Sequence, residues 1–435
     1  MRLPAPPVLL AMLYFAFITS GAMALRLPLC NTAPLTLSEA FFTATSAVTV
    51  TGLSVIDVGA HLTFAGQVVL ALLIQIGGIG LMTFAVLLLS SLGVSIGMPS
   101  RHILREEMSQ VSTYEILPLV KSVVKISLAI ETLGVLALST VFIPQFGWLE
   151  GGWAAVFHTI SAFNNAGFGL WSDSLSQWVG NPVINFTIPA LFMTGGIGFV
   201  VLRDILSTRK WRRLTLHSKL MLVGTAALVA TGTGFFAVLE WHNPATLGGL
   251  DGWTPKLLAS WFQSVTTRTA GFNTVDIGST HDSTSLLLIA LMLTGGGSAS
   301  TAGGIKVTTL VVLILATIAF FKRREVRVFG RSISHDLVLK VLAVVSLTIV
   351  STFVGLFLVS ISHDGDILDL AFEIASAFAT TGLSRGATGE LDEIGRVVIM
   401  FLMFMGRIGP LTLGFLLATR GVSRVRYPTG YVYLG

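Results

Sequence analysis

Charge is scarce in this chain. Asp, Glu, Lys and Arg make up 11% of its 435 residues, against 53% hydrophobic residues and a mean hydropathy of +0.82. A soluble domain carries about 25% charged residues, so a soluble fold is excluded and an all-α polytopic membrane protein is expected. Cysteine is nearly absent: Cys30 stands alone, which rules out an internal disulfide framework and leaves it a packing role. No HExxH, no GxxxxGK[ST] loop and no paired intramembrane aspartates occur. Metalloprotease, nucleotide-hydrolase and aspartyl chemistry are thereby excluded, and the chain is not read as an enzyme. No polar segment is long enough to form a nucleotide-binding domain, so nucleotide control would have to come from another chain. The net charge of +5 is no nucleic-acid signal, because the basic residues lie in links between apolar runs.

What the chain has is glycine at regular intervals. The apolar run 40–48 is far shorter than the roughly 20 residues a helix needs to cross a bilayer. It ends at Thr49-Val50-Thr51-Gly52-Leu53. Similar turns recur at Asn164-Asn165-Ala166-Gly167-Phe168, Thr269-Ala270-Gly271-Phe272 and Thr380-Thr381-Gly382-Leu383, at glycine-to-glycine intervals of 115, 104 and 111 residues. Six positions before each glycine stand Ser46, Ser161, Val265 and Ser376. A short helix that enters the membrane, turns and returns is tolerated only against protein or a wet cavity. Four such turns about one axis would present Val50, Thr51, Gly52; Asn165, Ala166, Gly167; Thr269, Ala270, Gly271; and Thr380, Thr381, Gly382. Their carbonyl oxygens can replace a cation's hydration shell, as in potassium-channel filters. One glycine per turn, where TVGYG has two, predicts fewer carbonyl rings and a less strict filter.

Read as repeats, the chain divides at 1–95, 96–205, 206–325 and 326–435. Outer helix, pore loop and inner helix are expected at about 7–25, 36–57 and 65–92; then 116–143, 153–172 and 182–202; then 218–241, 254–277 and 283–321; then 336–361, 367–386 and 395–419. That makes eight spanning helices and four re-entrant loops. The third inner stretch, 283–321, would be about 58 Å long as one helix, against a bilayer core of about 30 Å. Its break is written as Gly295, Gly296, Gly297, Ser298, Ala299, Ser300, Thr301, Ala302, Gly303 and Gly304, followed by Lys306. Inner-helix glycines 77, 78, 80, 195, 196, 198, 406 and 409 read as packing positions, with Arg407 at comparable depth. Arg101, Arg105, Arg203, Arg209, Lys210, Arg212, Arg213, Lys322, Arg323 and Arg324 make the links basic, so links and both termini are expected in the cytoplasm. Pairing or snorkelling is expected of Lys125 and Glu131, a filter-bracing role of Arg268, and packing or capping of His158 and Glu373. The apolar start, 7–25, is read as a retained first helix rather than a cleaved signal.

The four turns, the stretch TRTAGFNT at 267–274, ATTGLS at 379–384 and the inner glycine set together resemble the Trk/Ktr/HKT superfamily of potassium transporters. The chain is most similar to the Ktr-type membrane subunit, and the resemblance covers nearly its whole length. It implies four membrane-pore-membrane repeats and potassium uptake across a bacterial plasma membrane, with K⁺ at the filter carbonyls and a sodium dependence left open. It implies an intramembrane gate at 295–304, which Arg407 would latch. It also implies a homodimer in membrane lipid and a cytoplasmic ring of nucleotide-binding regulatory subunits. The alternatives are a Trk-type subunit, a pump-associated potassium-translocating subunit, or a less selective Na⁺/K⁺ permease. Pump subunits are longer, and Trk-type subunits carry an additional helix pair at their start.

Overall fold

Gly147 shows how this chain makes a re-entrant segment. Helical residues run from Ile116 to Phe163, but Gly147 interrupts them at φ 83°, ψ 175°, just after Pro144. Proline removes a helical hydrogen bond and glycine takes a φ that other residues resist, so a long arm folds back as a short helix. The computed structural model describes residues 6–80 and 116–409. The expected continuation of the first inner helix to 92, the link with Arg101, His102, Arg105, Glu106 and Glu107, and everything from 410 lie outside them.

The described chain is mostly helical: α1 Pro6–Leu25, α2 Leu37–Val48, α3 Phe64–Ile79, α4 Ile116–Phe163, α5 Pro182–Ile197, α6 Phe199–Thr208, α7 Leu216–Glu240, α8 Trp253–Thr266, α9 Asp282–Leu293, α10 Val307–Phe321, α11 His335–Ser362, α12 Ile367–Ala379 and α13 Glu393–Ile408. Short polar side chains start many of them. Thr36 and Glu39 form a capping box on α2, Asn181 caps α5 with Pro182 in its first turn, and Asp366 and Asp392 cap α12 and α13. A small antiparallel hairpin pairs β1 Arg327–Val328 with β2 Arg331–Ser332. Three helical stretches among the described residues are long and apolar enough to cross a membrane: Ser122–Phe163, Leu216–Glu240 and His335–Ser362. The bent pair α5–α6 makes a fourth.

Packing closes in a circle. Helix α3 lies against α4, α5 against α8, α9 against α12, and α13 against α2. Within that circle the short helices α2, the end of α4, α8 and α12 all run into buried glycine turns.

One expected helix differs. The stretch 182–202 is not one helix: it stops at Ile197, and α6 leaves at 96°. Gly198 at the corner has φ 103°, ψ 132°, a conformation open to glycine and closed to side-chain-bearing residues. Gly80 (φ 93°, ψ 125°) and Gly409 (φ 92°, ψ 136°) take the same conformation where α3 and α13 end. The third inner stretch breaks as expected, between α9 and α10.

Candidate functional site

Each short helix ends with the same backbone device. The residue two before the glycine is left-handed in every turn: Val50 (φ 50°), Asn165 (58°), Thr269 (67°) and Thr380 (51°). The glycines follow at φ 94°, 71°, 78° and 87° for Gly52, Gly167, Gly271 and Gly382. A left-handed valine or threonine costs of order 1–3 kcal/mol, so the surrounding packing must hold all four turns in place.

The turns meet one another in cyclic order. A β-carbon on Gly52 would collide with the carbonyl oxygen of Ala166. One on Gly167 would stand 2.8 Å from Ala270 O, one on Gly271 would stand 2.6 Å from Thr381 O, and one on Gly382 would collide with Thr51 O. Four carbonyl oxygens therefore each lie against the glycine of a neighbouring turn, and the sequence closes on itself. The turns are buried, with Thr51, Ala166, Ala270 and Thr381 at 0% exposure. A closed ring of carbonyl oxygens suits a dehydrated monovalent cation. Helices α2, α8 and α12, with the end of α4, also turn their C-terminal, partly negative ends toward it.

Side chains tie the turns down. The N–H of Gly52 donates to Ser46 Oγ and that of Gly382 to Ser376 Oγ, both at 3.0 Å. Ser161 makes no such bond: its hydroxyl has no partner among the described residues. In the third turn the helix register differs. Thr51, Ala166 and Thr381 donate to the carbonyl five residues back, whereas Ala270 donates to Thr266, four back. Thr266 rather than Val265 therefore stands where the serines stand, and its hydroxyl goes to Phe272 O at 2.6 Å.

The same one-residue offset explains a set of braces. Glu373 accepts from Arg385 N at 2.8 Å and from Ser384 Oγ at 2.7 Å, and His158 Nε2 accepts from Leu170 N at 3.3 Å. Gln263, with its amide oriented to satisfy its neighbours, accepts from Thr274 N at 2.8 Å and Val275 N at 3.3 Å. All three hold the strand that leaves the turn. Gln263 escaped the sequence reading because it lies eight, not nine, positions before its glycine. His158 is further fixed by stacking on Trp171 at 4.4 Å.

Below the ring lies the glycine-rich segment between α9 and α10. It pairs with itself through Thr294 and Ile305 and through Gly295 N to Ile305 O, 2.8 Å. It leans on α5, where Gly297 N donates to Gly196 O at 2.7 Å and Thr301 N to Gly195 O at 3.2 Å. Ser300 Oγ donates to Gly297 O within the loop, and Ser298 O lies beside Gly198. Thr301 Oγ1 donates to Asn165 Oδ1 at 2.7 Å, and Asn165 Nδ2 reaches Arg268 O at 3.1 Å. Gly303 presses on Thr380, and Gly304 (φ 65°) on Ala379. The loop thus touches the second, third and fourth turns from beneath. Lys306 Nζ closes it by donating to Ala302 O at 2.8 Å. Arg407 spans its open side, donating to Thr301 O and to Gly77 O and Gly78 O of α3.

Gly77, Gly195 and Gly406 sit against the carbonyls of Val48, Phe163 and Phe378, each four residues before a turn glycine. Any side chain there would push a helix off its neighbouring short helix. In the third unit Gly295 instead meets Gly303 O, its own loop. Arg407 occupies the register of Gly78 and Gly196, where only it carries a side chain long enough to cross the cavity.

The remaining charged side chains near the turns have these partners. Glu131 does not pair with Lys125, which is exposed; it accepts from Gln75 Nε2 at 2.9 and 3.2 Å and from Asn164 Nδ2 at 3.4 Å. Arg268 donates to Leu291 O and Thr267 Oγ1, with no carboxylate among its partners in the described residues. Asp57 and Asp276 cap local turns through Ala60 N and Gly278 N. Arg385, not singled out from the sequence, joins Asp369 to Thr280 and Ser285 at the outer side of the third and fourth turns.

A family model described as a cation transport protein, TrkH, matches residues 8–420. The chain is 46% identical over 431 residues to Ktr system potassium uptake protein B of Bacillus subtilis, covering 99% of this chain and 97% of that protein. It is 40% identical to the protein of the same name from Vibrio alginolyticus, over 99% of this chain and 95% of that one. To the potassium/sodium uptake protein NtpJ of Enterococcus hirae it is 37% identical, over 99% and 97%. Among solved structures, the potassium transporter TrkH of Vibrio parahaemolyticus superposes with a TM-score of 0.74 at 20% identity, over 96% of this chain and 86% of that one.

Proposed function

Since the chain belongs to the TrkH family of cation transport proteins, a transporter family rather than an enzyme family, we propose that it takes up potassium ions across the bacterial plasma membrane. The observation that carries this reading is the closed ring of four carbonyls and four left-handed glycines. The relatives named for potassium uptake favour K⁺ as the ion. Thr51, Ala166, Ala270 and Thr381 supply the ring oxygens, with Val50, Asn165, Thr269 and Thr380 turning the backbone beneath them. The circular packing of α3 on α4, α5 on α8, α9 on α12 and α13 on α2 supports four repeats and eight crossings. Basic links favour cytoplasmic termini.

The loop 294–306 is the gate and Arg407 its latch in this reading. A guanidinium has five donors and no acceptor, so it can hold carbonyls from the loop and from α3 at once. Releasing it frees Thr301 and opens the way under the ring. A relative named as one lettered component of a Ktr system supports a second component. A cytoplasmic nucleotide-binding ring acting on a homodimer in lipid fits that, and α6, bonded through Phe199 N to Ala299 O, is a route to the loop. A less selective K⁺/Na⁺ permease is the second reading. The relative named for potassium and sodium and the single glycine per turn favour it.

Flux into liposomes distinguishes the two. Uptake of K⁺ and Rb⁺ well above Na⁺, abolished by Gly271→Ala, is the expected result. Equal K⁺ and Na⁺ uptake in the wild type selects the permease, and no cation uptake under any condition overturns both.

A further inference from the structure

Turns one and four are tied alike on the side where the chain enters. Ser46 and Ser376 each accept from their turn glycine at 3.0 Å, and Thr51 and Thr381 both donate to the carbonyl five residues back. They part where the chain leaves. In the second, third and fourth turns a side chain of the short helix holds the amide three residues past the glycine. His158 holds Leu170 N, Gln263 holds Thr274 N, and Glu373 holds Arg385 N. Thr43 stands at that place in the first turn, nine residues before Gly52 as Glu373 is before Gly382. Its hydroxyl sits directly on the β-carbon, is buried, and bonds nothing among the described residues. The matching amide, Val55 N, likewise finds no acceptor among them. What this strand has instead is local: Ser54 Oγ donates to Ile56 O at 2.7 Å.

We infer that the first turn is the compliant member of the ring, and that residue 43 sets how well the protein discriminates K⁺ from Na⁺. The inference rests on the cation-uptake reading above and deepens it at one residue. Sodium is the smaller ion, so carbonyl oxygens must close further inward to coordinate it than to coordinate potassium. An oxygen moves inward at a cost set by what holds its turn. Three turns resist through a hydrogen bond that the movement would stretch. The first offers no such bond at its exit, and one soft member lets the whole ring contract.

Thr43 touches no ion in this account. It acts through the position of Thr51 O, the ring oxygen just before Gly52, which rests against Gly382 of the fourth turn. A single glycine per turn would spread permissiveness over all four turns. A missing brace places it in one, where a single longer side chain can remove it.

The test compares initial K⁺ and Na⁺ uptake rates of the full-length protein in liposomes. Their ratio is independent of how much folded protein is present, so a merely structural loss does not move it. Thr43→Gln supplies the acceptor that Gln263 supplies in the third turn, and should raise the K⁺/Na⁺ ratio by about threefold or more. Gln263→Thr gives the third turn the first turn's residue and should lower the ratio by a similar factor. Thr43→Val keeps the shape and removes the orphan hydroxyl, so the ratio should stay within about twofold of wild type. Gln263→Thr carries the test by itself where Thr43→Gln is too crowded to fold. Either brace variant, folded and with an unmoved ratio, would overturn the inference. So would a fall in Thr43→Val, the behaviour of a strand already braced through a water molecule on that hydroxyl. Absence of cation uptake in the wild type is a different failure: it overturns the uptake reading, and this inference with it.

Discussion

Three inner helices and one inner loop do the same geometric job by different means. In α3, α5 and α13 a glycine lies directly on a short-helix carbonyl: Gly77 on Val48, Gly195 on Phe163, Gly406 on Phe378. Between α9 and α10 the corresponding glycine, Gly295, meets Gly303 of its own loop. The first three are locked by close backbone approach, which no rotamer change can relieve. The last closes on its own loop, which also presses Gly296 and Gly297 on carbonyls of α5, and side-chain hydrogen bonds from Thr301, Lys306 and Arg407 add to that hold. Close packing resists deformation, whereas a loop with few apolar contacts opens at low cost. In the proposed reading the three clamped helices stay fixed and the loop is the part that moves.

The comparison breaks most severely at the clamps. Gly406→Val places a side chain on Phe378 O, and Gly77→Val places one 2.9 Å or less from Val48 backbone atoms. Each should destabilise by about 3 kcal/mol or more, read as loss of folded protein in size-exclusion profiles. Gly303→Ala is the matched loop variant. It meets the Thr380 side chain rather than a carbonyl, so it should fold, and altered flux rather than lost protein is its expected phenotype.

Next in size is the proposed latch. Arg407→Ala removes charge-assisted bonds worth about 1.5–3 kcal/mol each, and about 1.4 kcal/mol is a tenfold change in an equilibrium. Basal K⁺ flux without a cytoplasmic partner should rise about tenfold or more. Arg407→Lys, a cation that reaches fewer carbonyls at once, should fall between. Flux in Arg407→Ala equal to wild type, at equal surface amount, removes the latch role.

The smallest effect sharpens the comparison among the turns themselves. Ser46→Ala and Ser376→Ala each lose an acceptor for a glycine N–H and should cost about 1 kcal/mol, with relatively more Na⁺ entry. Ser161→Ala loses a hydroxyl that bonds nothing among the described residues, and should lie within about 0.5 kcal/mol of wild type. Denaturation midpoints and Na⁺ flux of the three variants decide this.

The sequence carried the four turns because each repeats a short apolar run, a small polar stretch and a glycine at similar intervals. It carried the break in 283–321 because length alone forbids a single span. Arg407 stood out because it lies at the depth of the inner-helix glycines, and its role came from the family resemblance rather than from local pattern. Register was less legible. A one-residue offset in α8 placed Val265 where Thr266 belongs and hid Gln263 beside His158 and Glu373. Gly198 read as a packing glycine, since only its backbone angles distinguish a corner from a close contact. The partners of Glu131 lie on other helices, Gln75 being 56 residues away, and local pattern carries no signal for such contacts.

The central claim is that Thr51, Ala166, Ala270 and Thr381 surround one cation site. Anomalous diffraction from protein grown in thallium(I) or rubidium tests it directly. A peak on the axis enclosed by those four carbonyl oxygens, lost in Gly271→Ala, is the result expected. Ordered cation density elsewhere in the membrane region, with none between the four turns, would contradict it.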